Sequence, residues 1–412
     1  MNILQVHKYY WPRDGATNYM LRLSDMLREQ GHTVIPFSMR GKHNLPTPYS
    51  KFFVSEMDLA KPEAVGFADK IRYAGRMLYS FEAKKKMRRL LSVEDIDIAH
   101  VHNIYHHISP SIFGELKRKH IPIVMTLHDY KLICPNYSLF HHGAVHEEDC
   151  AGWYGTCVKN RCMKDSRVQS RIVRAEMIFH HKVMKFYEHA VDAFIAPSEF
   201  MMKLCVKYGW PKEKFVPIVH PVDTTTFSVS EKGGDYVAFV GRLSEEKGLD
   251  VLLDAAKQTA DIPYVIIGDG PERKNIQARI KKERIHNIRL TGFESGERLR
   301  KLMDGARLFV VPSIWYENYP LSVLEPKAKA KVVIGTKIGG IPELLPADLL
   351  VEPGDATDLA KKIALWYGKS ANERKKMGKT LRKEVVTVND PEKHVRAIER
   401  LYDQTMTKMS FF

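Results

Sequence analysis

No run of about eighteen apolar residues occurs in this 412-residue chain, which excludes a membrane-spanning helix of ordinary length. The opening MNILQVHKYYWP has neither the charged start nor the small-residue cleavage site of a secretory leader, so the expected location is cytoplasmic. Cysteine is scarce, with five residues, and in that compartment structural disulfides are not expected. Neither half has G-x-G-x-x-G after its first strand, which argues against a nicotinamide dehydrogenase. Short-period repeats and low-complexity tracts are missing. Acidic residues are outnumbered, 49 against 64 lysines and arginines, giving a net charge of +15 and a field that favours anionic partners. Nucleic acid is the weakest of these, because no zinc-finger, helix-turn-helix or aromatic RNA-binding motif accompanies the charge.

What is present is a globular composition, 44% hydrophobic and 27% charged, at a length that suits two domains. Apolar runs alternate with amphipathic stretches from the start. NILQV is followed by a loop, then by NYMLRLSDMLREQGHTV, whose helical spacing stops at Gly31. DIAHVHN, IPIVMTLHD and AFIAPS continue the series. After HPVDTTTFSVSEKGG it restarts with YVAFVGRL, YVIIGDG, IRLTG, RLFVVPS and KVVIGT. This pattern predicts an α/β protein with two doubly wound parallel sheets, joined near residues 221–234. The expected units are 1–222 and 223–392, with a C-terminal helix near 393–412 packing back on the first. Sheets of this kind bind ligands at the carboxyl ends of their strands, so two of them facing each other make a cleft.

Two stretches in the second unit could carry chemistry. In GRLSEEKGLDVLLDAA a glycine turn leads into a helix, where backbone amides and the helix dipole attract phosphate, and Arg242 and Lys247 add two cations. A plain turn with solvated bases is the competing reading. In ENYPLSVLEP, Pro320 suits the first turn of a helix, which would leave the amides of Asn318, Tyr319 and Leu321 open to an anion. Glu317 would precede that helix and Glu325 lie about a turn and a half inside it. Carboxylates suit vicinal hydroxyls, so one glutamate for a sugar and one for a ribose is a coherent assignment, although a solvated acidic face is the commoner fate of such a pair.

Taken in order, WPRDGAT, EQGHTV, HVHN, VMTLHDY, APSEF, GRLSEEKG, IIGDGP, TGF, E-x7-E, IGGIPELL and LVEPGD resemble the retaining family 4 glycosyltransferases (glycosyl transferases group 1) over nearly the whole chain. The resemblance implies the GT-B fold, two Rossmann-like domains around a cleft, with the first binding the acceptor and the second a nucleotide sugar. It implies that Arg242 and Lys247 hold the donor diphosphate and that Glu325 binds the ribose. Glu317 would contact the donor sugar, with the amides of Asn318, Tyr319 and Leu321 around Pro320 facing the sugar and distal phosphate. The base would rest near Phe293 and Glu294, Gly15 would approach the diphosphate, and His128 would lie beside the transferred sugar. The donor would be a UDP- or GDP-sugar, and no cofactor or catalytic metal is implied.

Three departures from the family pattern stand out. Ala16 follows Gly15 where a second glycine is usual, restricting the backbone at the phosphate approach. Pro326 follows Glu325, removes a helix hydrogen bond and is expected to kink the helix. VHPVD replaces the more usual asparagine before the hinge. For the mechanism, Glu317 is the one carboxylate the motifs offer as a nucleophile. Reaction on one face is the alternative that the family implies, with the leaving phosphate taking the acceptor proton and Arg242 and Lys247 stabilising its charge. His128 is taken as functional; His100, His102, His106, His107, His141, His142, His180 and His181 are taken as ordinary core or surface histidines.

Cys134, Cys150, Cys157 and Cys162 fall in one segment, where four thiolates, or thiolates with histidines, could bind zinc or iron. Their spacings of 16, 7 and 5 lack a C-x2-C knuckle, leaving reduced thiols or a conditional disulfide as alternatives. In RVQSRIVRAEMIFHHKVMKF, Arg167, Arg171, Arg174, Lys182 and Lys185 fall within about 80° on a single helix. Val168, Ile172, Ala175, Phe179, Val183 and Phe186 form the adjoining stripe, a pairing that suits an anionic membrane surface or, equally, a core-facing helix with a solvated side. KKKMRR at 84–89 lies in the same unit. The expected activity is therefore sugar transfer to a hydroxyl of a glycan or lipid-linked saccharide in cell-surface polysaccharide or glycoconjugate synthesis, peripheral on the inner face of the membrane. A small soluble acceptor and a catalytically silent nucleotide-sugar-binding protein are the rivals, and the oligomeric state is not legible.

Overall fold

The structure is a computed structural model describing residues 1–57, 66–229 and 234–409. The first half contributes β1 (Asn2–Val6), β2 (Thr33–Phe37), β3 (Ile98–Val101) and β4 (Ile123–Thr126). A small antiparallel hairpin follows, β5 (Phe140–His141) and β6 (Ala144–Val145), and then β7 (Ala193–Ala196) and β8 (Phe215–Pro217). The six longer-range strands form a parallel sheet in the order β2-β1-β3-β4-β7-β8. Beyond β2 the chain makes one parallel bridge, Met39 to Val54, where a further edge strand would lie. Counting that bridge as a strand, the order becomes the Rossmann 3-2-1-4-5-6 with one more strand added.

The second half contributes β9 (Tyr236–Val240), β10 (Tyr264–Ile267), β11 (Ile288–Gly292), β12 (Ala306–Val311), β13 (Val332–Thr336) and β14 (Leu350–Val351). Their order, β11-β10-β9-β12-β13-β14, is the Rossmann order without amendment. β3, β4, β7, β10 and β13 are buried along their whole length, as both-face coverage by helices requires. The two largest cores span Leu4 to Phe215 and Val222 to Val385.

The helix Gly15–Glu29 shows why the first half closes as it does. Asp14 caps it by accepting from the Thr17 amide, and Leu23, Leu27, Tyr19 and Met20 face inward. At the other end Gly31 turns the chain at φ +84 into β2. The helix Pro391–Met409 crosses back and lays Val395, Ile398, Leu401 and Tyr402 against Ile3, Tyr19 and Leu23. Each such buried side chain contributes about 1.5–3 kcal/mol relative to exposure. The two crossings are tied together, since the Val222 amide donates to the Asn389 carbonyl at 2.9 Å and Asn389 Nδ2 to the His220 carbonyl at 2.8 Å.

The single basic helix expected over 167–186 is not formed. Its α-helical part is Arg167–Met177, a π-helical turn covers Ile178–Val183, and Lys185 breaks the run at φ +47. The inward face is Ser170, Val173, Glu176, Met177 and His180 rather than the predicted apolar stripe. The reason is electrostatic: Glu176, buried, is held by Lys131 at 2.9 Å and His106 at 3.0 Å, which turns that face to the core. No described helix is long and apolar enough to cross a membrane.

Candidate active site

The two sheets present their carboxyl ends to a shared gap, and the loops after β9 and β12 meet there. Gly248 makes the meeting possible. It sits at φ +67, and a Cβ on it would lie 1.9 Å from the Pro312 carbonyl oxygen, so only glycine lets the turn Glu245–Lys247 lie against the loop after β12. The Ile314 amide then donates to the Glu246 carbonyl at 3.0 Å. This close approach brings Lys247 Nζ to 2.7 Å from Glu317 Oε1, which also accepts from Ser313 Oγ at 2.6 Å. From below, Gly339 and Gly340 admit the backbone of Glu317 and Asn318, and the Gly340 amide donates to the Glu317 carbonyl at 2.7 Å.

Glu317 is buried, which by itself raises a carboxyl pKa. The Lys247 ammonium and the hydrogen bonds from Lys247 and Ser313 outweigh burial and hold it below the ordinary value. The carboxylate is thus ionised and fixed. Arg242, from the same loop, is exposed and has no hydrogen-bond or ion-pair partner among the described residues. It lies close enough to Tyr137, across the gap, to act on that hydroxyl electrostatically together with Glu246, Asp129 and Tyr9.

Asn318 connects the halves. Its Nδ2 donates to the Leu127 carbonyl at 3.1 Å and its Oδ1 accepts from Ser198 Oγ at 2.8 Å, so the residue after Glu317 is bonded to the residue before His128. His128 Nε2 lies 3.0 Å from His102 Nδ1, and the ring packs on Tyr19 and His220 with centroids at 5.3 and 5.8 Å. Burial, then the neighbouring His220 and His7, push the His128 pKa well below its ordinary value, so the imidazole is neutral at pH 7. His102, expected to be an ordinary core histidine, is the group that orients His128, with its other nitrogen 2.8 Å from Gln5 Oε1. The two-residue spacing in HVHN could have signalled this, since it puts His100 of β3 and His102, just past its end, on one side of the chain, where they stack at 4.4 Å.

Pro320 is the cap preceding the helix Leu321–Ala328 rather than its first residue, a consequence of its extended ψ of 123°. Tyr319 is buried with its hydroxyl accepting from Asn389 Nδ2 at 3.0 Å, so only its backbone could serve a ligand. The helix continues through Pro326 to Ala328. Glu325 is half-buried, and burial pushes its pKa up to about 7 against the opposing charge of Arg22 from the first half. Gly15 is exposed at the start of its helix, and a Cβ there would meet nothing within 4 Å. Phe293 is 75% exposed at the end of β11, next to Glu294, which pairs with Arg298 at 2.9 Å.

The four thiols do not converge on one ion. Cys134 and Cys150 face each other in the main core, and the thiol of Cys150 is pushed up first by Cys134 and then by burial. Cys157 and Cys162 pair in a separate small cluster with Tyr154 and Met177. The two pairs are nevertheless neighbours, since Cys157 and Cys162 also act on the Cys150 thiol electrostatically. Among the described residues, His141, His146 and Asp149 form the group whose donor atoms all lie within 4.8 Å of one another.

Comparison with known proteins gives consistent matches. Residues 13–226 match the model of Glycosyltransferase Family 4 and residues 224–384 that of Glycosyl transferases group 1. The chain is 29% identical over 211 residues to the putative colanic acid biosynthesis glycosyltransferase WcaL of Escherichia coli K12, a match covering 47% of this chain and about half, 52%, of the relative. In fold it is similar to sucrose-phosphate synthase from Thermosynechococcus elongatus, with a TM-score of 0.71 at 18% identity and 99% of each chain covered. It is also similar to HepE of Anabaena in complex with UDP and glucose, with a TM-score of 0.68 at 15% identity, covering 97% of this chain and 99% of that one.

Proposed function

The chain belongs to glycosyltransferase family 4, and from that premise we propose that it transfers a sugar, with retention of anomeric configuration, from a nucleoside diphosphate sugar to a hydroxyl of a growing saccharide. The observation that carries the reading is the clamp of Glu317 by Lys247 at 2.7 Å, tied through Asn318 to Leu127 beside His128. Lys247 has two further N–H donors for a diphosphate, and the unpaired Arg242 supplies a second cation. Together they stabilise charge on the leaving phosphate without a metal. Glu317 accepts from hydroxyls of the transferred sugar, neutral His128 hydrogen-bonds beside it, and Glu325 takes the ribose. Phe293 offers its exposed ring to the base. UDP leads the candidate nucleotides because HepE holds UDP and glucose in the same fold.

Polysaccharide synthesis is the favoured setting, since the WcaL relative is named for colanic acid biosynthesis. A lipid-linked acceptor is supported by the surface over 167–185. Val168 and Val183 are 64% and 62% exposed beside Arg171, Lys182 and Lys185, so the apolar side chains that the core does not use stand next to basic ones.

The test begins with a thermal-shift panel of uridine, guanosine and adenosine diphosphate sugars, followed by transfer with the stabilising donor and NMR of the product's anomeric centre. Retention is expected. Arg242→Ala should fold normally, because Arg242 is exposed, and lose about 10²-fold or more in kcat. Lys247→Ala should lose transfer as well, with a lower Tm because Glu317 is left buried and uncompensated. Inversion at the anomeric carbon, or full activity in Arg242→Ala, would overturn the reading.

A further inference from the structure

We propose that the hairpin insertion after β4 holds a divalent transition-metal ion of the zinc class on His141, His146 and Asp149. The local sequence builds the site. His142 and Gly143 both adopt positive φ, +47 and +76, the requirement of a two-residue hairpin turn. Phe140 then pairs with Val145 and His141 with Ala144, and the His146 amide extends the ladder to the Leu139 carbonyl at 2.8 Å. In this register His141 and His146 fall on one face, diagonal to each other, with ring centroids 4.0 Å apart. The chain returns through the turn Glu148–Cys150 and sets the Asp149 carboxylate 2.6 Å from His141 Nε2.

The chemistry of the set suits such an ion. Two imidazoles and a carboxylate are borderline donors, and three protein ligands leave a fourth tetrahedral position. Cys162 Sγ lies 3.5 Å from Asp149 Oδ2 but outside the set of mutually close donors, so it would have to move from its pairing with Cys157 to take that position, losing its thiol proton to solvent on binding. Asn160 Nδ2 donates to both Asp149 oxygens at 2.9 and 3.0 Å and orients the carboxylate from behind. His141 and Asp149 side chains are only 8% and 5% exposed, so an ion there is shielded from water. The His146 ring has no hydrogen-bond partner among the described residues and can turn toward the ion without breaking a bond.

The location gives the ion a structural task. At the hairpin tip, a Cβ on Gly143 would lie 3.3 Å from Glu245 Oε1, in the turn that carries Lys247. Just past the hairpin, Glu147 accepts from the hydroxyl of Tyr316, the residue before Glu317, and from Lys207. An ion cross-linking His141, His146 and Asp149 fixes the segment that touches both sides of the donor site.

The experiment uses the full chain, purified, stripped with chelator and titrated with Zn(II), with metal content by mass spectrometry, Co(II) absorption and Tm as readouts. About one equivalent is expected to bind and to raise Tm. Asp149→Asn, which keeps shape, and His146→Ala, at a half-buried position, should each weaken binding by about 100-fold or more and abolish the Tm shift. A thiolate charge-transfer band with Co(II), lost in Cys162→Ser, would support Cys162 as the fourth ligand. Wild-type binding no tighter than that of His146→Ala would overturn the site. So would binding that survives both variants and disappears in Cys134→Ser with Cys157→Ser, because the ion would then sit on the thiols.

Discussion

Glu325 is a carboxyl group with no hydrogen-bond partner among the described residues and a pKa pushed up to about 7 by burial. The folded protein therefore holds a proton there that the unfolded chain releases at the ordinary carboxylate value. Between those two values the folded state binds more protons than the unfolded one, so stability falls as pH rises through the window and is level above about 7. Glu325→Gln removes the penalty. It should raise stability at about pH 8 by on the order of 2 kcal/mol and leave it nearly unchanged at about pH 4, measured by thermal denaturation. The same group should bind hydroxyls best when ionised, since charge-assisted hydrogen bonds are the stronger ones. Donor affinity of the wild type should accordingly rise between about pH 6 and 8, and Glu325→Gln should weaken it by about 10-fold or more by calorimetry. A variant both less stable at pH 8 and unchanged in donor affinity would remove Glu325 from the site. Glu317 differs because Lys247 compensates its burial; its contribution to stability is lost as pH falls through its depressed pKa.

At the level of elements, the geometry depends on loops that only glycine can shape. Gly248→Ala would drive a methyl group into the Pro312 carbonyl and require an unfavourable left-handed alanine. The turn Glu245–Lys247 must then withdraw, separating Lys247 from Glu317. The expected cost is about 2–3 kcal/mol in stability with transfer reduced by about 10²-fold, checked by denaturant unfolding and initial rates. Wild-type rates in a folded Gly248→Ala protein would show that the close approach is dispensable. The loop GRLSEEKG was legible in the sequence because glycine, cations and the following helix are local signals. The clamp it makes with Glu317 was not, because a contact 70 residues distant leaves no local trace. The parallel strands were legible as apolar runs for a similar reason, whereas Val54, reduced to one bridge, has too little pattern to read. The stretch 167–186 misled because its helical periodicity is interrupted by a π-helical turn, and because the buried Glu176 counts as polar in any hydrophobic pattern. The thiols left alternatives open for a like reason: their spacing has no C-x2-C knuckle, and their pairing, Cys134 with Cys150 and Cys157 with Cys162, is set by the fold rather than by proximity in sequence.

For the whole molecule, catalysis at facing strand ends requires the halves to stay in register, and few groups hold them so. Glu343, after β13, reaches across and accepts from the amides of Glu199 and Phe200 at 2.9 and 2.6 Å, capping the helix Glu199–Lys207 of the other half. An anionic cap at a helix N-terminus gains from both hydrogen bonds and the dipole. Beside it, Ser198 Oγ donates to Asn318 and also caps the same helix through the Met201 amide at 3.1 Å. One helix start is thus shared between its own serine and a carboxylate from the second half. Glu343→Ala removes the cross-half cap while Ser198 preserves the helix, so the fold should survive with Tm lowered by a few degrees. The halves, less tightly held, should sample wider separations, seen as a larger radius of gyration in X-ray scattering without donor and a return toward the wild-type value with it. Because donor binding must then supply the closure, KM for the donor should rise by about 5-fold or more with kcat less affected. Glu343→Gln, which can still accept from one amide, should lie between. If scattering and KM are unchanged in Glu343→Ala while Asn318→Ala alters both, the register of the halves rests on Asn318 and its bonds to Leu127 and Ser198, and the shared helix cap serves stability alone.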